Sequence, residues 1–227
     1  TMAIAPIGII NAGDPDQAYQ DGFNIAFVNQ DNENRDAAAT LAAGVAAALT
    51  PGITVEQVLD VMKKHSSYLV ERAIILTMDL AYASNTVDEF ALRFYDKMLD
   101  WTWPSLAWPK EHFFSGSSLE IVPVTMAILH LCRGDVNQSI IEGASFGRDC
   151  DTIARAVGCI AGAMQGASAI RQDWIETVER VNEPLFEEVE GNPKANFHFI
   201  AQRLVQALKA ERGATLERAK TLERILR

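Results

Sequence analysis

The sequence predicts an all-α fold, a compact multi-helix bundle, on three observations. A Ser or Thr followed three residues later by Glu or Gln, the capping-box signature of a helix start, occurs at Thr54/Gln57, Thr86/Glu89 and Ser117/Glu120. Residues 150–166 read as an apolar helix in which Ala154, Gly158, Gly162 and Gly166 recur every four positions, a stripe of small side chains that lets a second helix come close. No stretch alternates apolar and polar residues as a half-buried strand would.

The elements follow in chain order. Residues 3–10 are apolar, but Pro6 and Gly8 disfavour a regular helix, so the segment reads as a buried lead-in. Asp14-Pro15 supplies an N-cap and a first-turn proline, opening a helix through Tyr19, Phe23 and Phe27. Residues 29–34 form a polar loop. The alanine-rich run from Arg35 to Leu49, with Leu41, Val45 and Leu49 on one face, predicts a tightly packed helix stopped by Thr50-Pro51-Gly52. Helices are expected over 55–65, 68–84, 87–100, 118–133 and 136–145, then over Trp174–Val181 and Ala195–Arg212, the last two separated by Pro184, Gly191 and Pro193. The tail, 211–227, reads as a separate amphipathic helix, basic on one side and carrying Leu216, Leu222, Ile225 and Leu226 on the other.

Composition narrows the function. At 227 residues, 48% of them hydrophobic, one substantial core is affordable. A net charge of -10 argues against a nucleic-acid surface, and no run of about 20 uninterrupted apolar residues implies a membrane span. Three cysteines, Cys132, Cys150 and Cys159, form no CxxC pair, which fits a reducing, cytoplasmic setting better than a disulfide framework. The partners expected are small molecules or protein. The chain opens Thr1-Met2, so Thr1 reads either as a processed end or as a boundary of the piece in hand.

Chemistry is legible at Gly147-Arg148-Asp149-Cys150-Asp151-Thr152. Two residues apart on a continuous helix, Asp149 and Asp151 would diverge by about 200°, so they converge only if the helix begins between them. With Asp149 as N-cap, Asp151 and Thr152 fall in the first turn and three oxygen donors point one way. The bare pattern serves either N-capping or a hard cation such as Mg²⁺, Mn²⁺ or Ca²⁺; with no His or Cys cluster beside it, Zn²⁺ is not implied. A second unusual stretch, residues 101–114, gathers Trp103 and Trp108 with Trp101 in a proline-containing loop. It reads as a lid anchored on the core or as an aromatic wall for a ring-shaped ligand.

The run from Gly147 through Gly166 closely resembles the metal motif and following helix of the ADP-ribosylglycohydrolase (dinitrogenase-reductase-activating glycohydrolase) family. Met2-Ala-Ile-Ala-Pro6-Ile-Gly8 looks like that family's Met-Arg-x-x-Pro-x-Gly segment, and Ser118-Leu-Glu120-Ile-Val-Pro123 resembles the stretch before its last helices. The resemblance implies an all-α hydrolase that cleaves a glycosidic bond to a ribosyl or ADP-ribosyl group with a pair of Mg²⁺ ions, Mn²⁺ being the alternative. It further implies Asp149, Asp151 and Thr152 as metal ligands, with the polar loop, Asn29 and Asp31 among it, and Gly147 and Arg148 bordering the substrate; Trp103 and Trp108 would join them on the aromatic-wall reading of the loop. Residues 1–210 would then be the C-terminal portion of such a domain. The family's other ligands lie in a Thr/Ser-Asp-Asp motif, and this chain contains no Asp-Asp pair, so the two-ion site would be completed from outside it. The partner implied is the N-terminal half of the same precursor as a second subunit. Arg148 stands where the family usually has a second Gly. Two other readings share the scaffold: an amidase-type hydrolase using Thr1 as an N-terminal nucleophile, and a non-catalytic binding or structural relative.

Overall fold

The computed structural model describes residues 1–99, 116–191 and 195–226. Among these the elements are α1 (Ala5–Ile10), α2 (Pro15–Ala26), α3 (Asn32–Ala48), α4 (Val55–Lys64), α5 (Tyr68–Tyr82), α6 (Val87–Leu99), α7 (Ser118–Leu131), α8 (Val136–Ser145), α9 (Cys150–Gln165), a 3₁₀ turn at Ala167–Ala169, α10 (Gln172–Glu190) and α11 (Phe197–Ile225). The described residues contain no strand, as expected from the lack of alternation.

The hub is α3. It packs against α1, α2, α4, α5, α7 and α9, and every residue from Asp36 to Ala48 is buried. Alanine makes this possible, because a helix with minimal side chains can be approached closely from all sides at once. At two crossings only glycine fits: a Cβ on Gly8 of α1 would lie 2.5 Å from the Ala42 carbonyl oxygen, and one on Gly44 of α3 would lie 2.7 Å from the Met62 side chain. Beside α3 runs α7, buried from Ser118 to Leu129 with Pro123 in its first turns. α9 packs on both, through Ile153, Ala156, Val157, Ile160 and Ala161.

Several expectations change here. Residues 5–10 form a helix after all, since Pro6 sits in the first turn, where its missing N–H would have had no partner. Helix α3 begins at Asn32, three residues before the predicted start, so the polar loop is shorter. Pro184 lies inside α10 and does not end it. The predicted break before residue 211 is absent: α11 runs unbroken through Gly213. The small-residue stripe of α9 is tight through its first half, as far as Gly158, and open at Gly162. Gly143 of α8 lies against the Ala154 backbone, where a Cβ would stand 2.9 Å from Cα, whereas a Cβ on Gly162 would meet nothing nearer than Ile170 at 3.8 Å. Helices α8 and α9 stay together beyond the Ala154 contact: a Cβ on Gly158 would stand 3.3 Å from Ile140, and Gln165 at the end of α9 donates to the Gly134 carbonyl at 2.8 Å, just before α8.

Candidate functional site

An aromatic platform supports the turn before α9. Phe90 and Phe94 of α6 are buried and pack on Phe146, with ring centroids 5.7 and 5.8 Å away. Burying a phenylalanine side chain contributes up to about 3 kcal/mol, so this platform anchors the chain where α8 ends. Tyr95 stacks on the Phe146 ring at 5.6 Å and donates its hydroxyl to the Phe146 carbonyl at 2.7 Å. Immediately afterwards the backbone turns left-handed at two successive residues, Gly147 (φ 90) and Arg148 (φ 56). Glycine adopts that conformation freely, but for arginine it costs about 1–2 kcal/mol and needs an external hold.

The hold is Glu120. Arg148 donates from Nε to Oε1 at 2.7 Å and from Nη2 to Oε2 at 3.0 Å, a two-pronged ion pair. Glu120 is only 3% exposed. Burial pushes its carboxyl above the ordinary range and Arg148 pulls it back, burial being the larger effect. This corrects the reading of Ser117/Glu120 as a capping box: the Ser117 side chain makes no cap bond, and Glu120 spends both oxygens on a residue 28 positions away.

Asp149 does occupy the N-cap position of α9, with Cys150, Asp151 and Thr152 in its first turn. Its side chain, however, does not cap the backbone; Oδ1 accepts a hydrogen bond from the Thr152 hydroxyl at 3.0 Å. Partial burial raises the Asp149 carboxyl first, Thr152 opposes, and the neighbouring Asp151 raises it further. The structure thus brings Gly147, Arg148, Asp149, Asp151 and Thr152 into one turn. Thr152 is buried and Asp151 is exposed. Among the described residues no group of three or more His, Cys, Asp or Glu side chains is placed to hold an ion; the Asp149 turn itself carries two carboxylates and a hydroxyl. Those are hard donors, fitting Mg²⁺ or Mn²⁺ as part of a six-oxygen shell.

The remaining predicted residues are more dispersed. Thr1 faces Thr152, Arg155 and Cys159 across a crevice of about 10 Å³, the size of one water, and burial lowers the pKa of its amine. Asn29 lines a separate hollow of about 550 Å³ with Thr1, Met2, Ile25 and Val28, which the Asp149 turn does not border. Asp31 is the N-cap residue of α3 and makes no side-chain cap bond. Trp103 and Trp108 lie outside the described residues. One contributor, Tyr95, had no signal in the sequence, and another, Asn34, was marked only as the end of the polar loop. Tyr95 supports the turn from below, and Asn34, which accepts from the Ser118 hydroxyl, ties the start of α3 to the start of α7.

The described residues form a helical bundle in which Asp149, Asp151 and Thr152 lie at the start of one helix, α9. Residues 1–213 match the family model described as ADP-ribosylglycohydrolase, and the chain belongs to that family, a glycohydrolase of that type. Comparison with curated proteins and with solved structures returned no match. Among the described residues no helix is long and apolar enough to cross a membrane.

Proposed function

We propose that this chain takes part in divalent-cation-dependent cleavage of a glycosidic bond to a ribosyl or ADP-ribosyl group, on a small molecule or an ADP-ribosylated protein. The observation that supports it is the placement of Asp149 as N-cap with Asp151 and Thr152 in the first turn of α9, Thr152 donating to Asp149 at 3.0 Å and Asp151 close enough to raise the Asp149 carboxyl. Asp149, Asp151 and Thr152 would hold the cation. An octahedral Mg²⁺ or Mn²⁺ needs about six oxygens, so water, substrate hydroxyls and residues outside this chain supply the rest, the last from an N-terminal portion acting as a second subunit. When bound, the ion acts as Lewis acid and as template for ribose hydroxyls and water. The chain's own residues act electrostatically. The two carboxylates place negative charge near an anomeric carbon that becomes cationic as its bond breaks. Thr152, nine-tenths or more buried, fixes the orientation of Asp149 through its hydroxyl.

Asp151→Asn tests this. Mn²⁺ binding followed by calorimetry should be lost and release of ADP-ribose from an ADP-ribosylated protein should fail, while helix content by circular dichroism stays unchanged because Asp151 is exposed. Unchanged Mn²⁺ affinity would overturn the ligand assignment.

A further inference from the structure

Glu120 is the least expected feature of the site. It is a buried carboxylate on α7, yet it serves neither its own helix start nor the apolar core around it; both oxygens are committed to Arg148. Arg148, in turn, is the residue immediately before Asp149 and sits in the left-handed region at φ 56. A cation so close to two carboxylates would, if free to swing, pair with them itself. The planar guanidinium is instead gripped by Glu120 in a two-pronged bond that fixes its direction as well as its place.

We propose that Glu120 is a positioning residue for the Asp149 turn. It holds Arg148 in the left-handed conformation that starts α9 between the two aspartates, and it keeps the Arg148 guanidinium from occupying the ground a divalent cation would take. The inference rests on the cation-binding reading above and adds that affinity is set by a side chain that does not touch the ion. The Tyr95 hydroxyl on the Phe146 carbonyl steadies the preceding residue, and Gly147, whose added Cβ would lie 3.0 Å from that hydroxyl, lets the turn sit tightly on α6. The turn is thus held from both sides, by α6 before the left-handed pair and by α7 at it.

The test uses the full chain and Mn²⁺ alone as probe, well below the melting temperature of every variant. Glu120→Gln keeps the volume but loses the charge that grips Arg148; Mn²⁺ affinity should fall by about 10- to 100-fold, the range for partners that orient metal ligands. Adding Arg148→Gly removes the competing cation and lets the backbone take φ 56 without strain, so the double variant should return to within about threefold of the parent. A purely structural role for Glu120 predicts no such rescue. Equal affinity of parent and Glu120→Gln, or a double variant no better than the single, overturns the proposal. Should the parent itself bind no Mn²⁺, the cation reading fails separately. Amide hydrogen exchange over residues 147–152 then decides the positioning claim: faster exchange there in Glu120→Gln upholds it, and unchanged exchange overturns it.

Discussion

The starts of α4 and α7 carry the same sequence signature and resolve it in opposite ways. At α4, Gln57 N–H donates to the Thr54 hydroxyl at 3.2 Å and Thr54 N–H donates to Gln57 Oε1 at 2.9 Å, a complete capping box. At α7, Ser117 and Glu120 have the same spacing, but the box is not made and Glu120 reaches Arg148. Environment makes the difference. Thr54 and Gln57 are exposed, so nothing but water competes for their polar atoms. Glu120 is buried beside an arginine, and a desolvated carboxylate gains more from a charged two-pronged partner than from one backbone N–H. The start of α6 lies between the two. Glu89 N–H donates to the Thr86 hydroxyl at 3.2 Å, but the Glu89 carboxylate accepts from the N–H of Asn85, one residue earlier than a capping box requires, and also from Arg93. A local signature is realised as written only where no stronger partner, distant as at α7 or local as at α6, takes the same polar atoms.

The largest effect that sharpens this contrast is expected at α7. Glu120→Ala removes the buried carboxylate that grips the half-buried Arg148 cation and holds the left-handed turn, and should cost about 3–5 kcal/mol in urea unfolding. A loss below about 1 kcal/mol would show that Glu120 behaves like an ordinary cap after all.

Thr54→Ala should cost about 1 kcal/mol, with helix α4 fraying first in amide exchange and Mn²⁺ binding untouched. If this variant also weakened Mn²⁺ binding, the two helix starts would not be independent.

The smallest effect concerns acid. Arg93 first, then the Asn85 backbone and side chain, hold the partly exposed Glu89 carboxyl at about 2, below its ordinary 4.5. Because the folded value is depressed, the contribution is present above about 4.5 and is lost as pH falls through about 2. Thermal melts of Glu89→Gln should therefore fall below those of the parent at pH 6 and approach them near pH 2, the opposite trend placing the stabilisation elsewhere.

Much of the fold was legible because helix starts and stops are local. Asp14 accepts from Gln17 N–H just ahead of Pro15, Thr54 opens α4, and Asp149 is the N-cap residue of α9, each where the residue types demand it. The short α1 was missed for a related reason: Pro6 was weighed as a breaker, when at a first turn its lost N–H costs nothing. Helix α11 runs past the boundary expected at residue 211 and through Gly213. A single glycine costs a helix only about 1 kcal/mol, which neighbours of high propensity outweigh.

What the sequence determined by itself is the class of the fold and the identity of the acidic turn, since periodicity, caps and the Asp-x-Asp-Thr spacing are properties of neighbouring residues. Only the tertiary structure decided which helix is central and what holds the turn. The hub is the alanine-rich α3, because helices on all sides can approach a surface of small side chains. The hold is Glu120, which reaches Arg148 across 28 positions because burying a carboxylate obliges it to find a charged partner wherever the packing brings one.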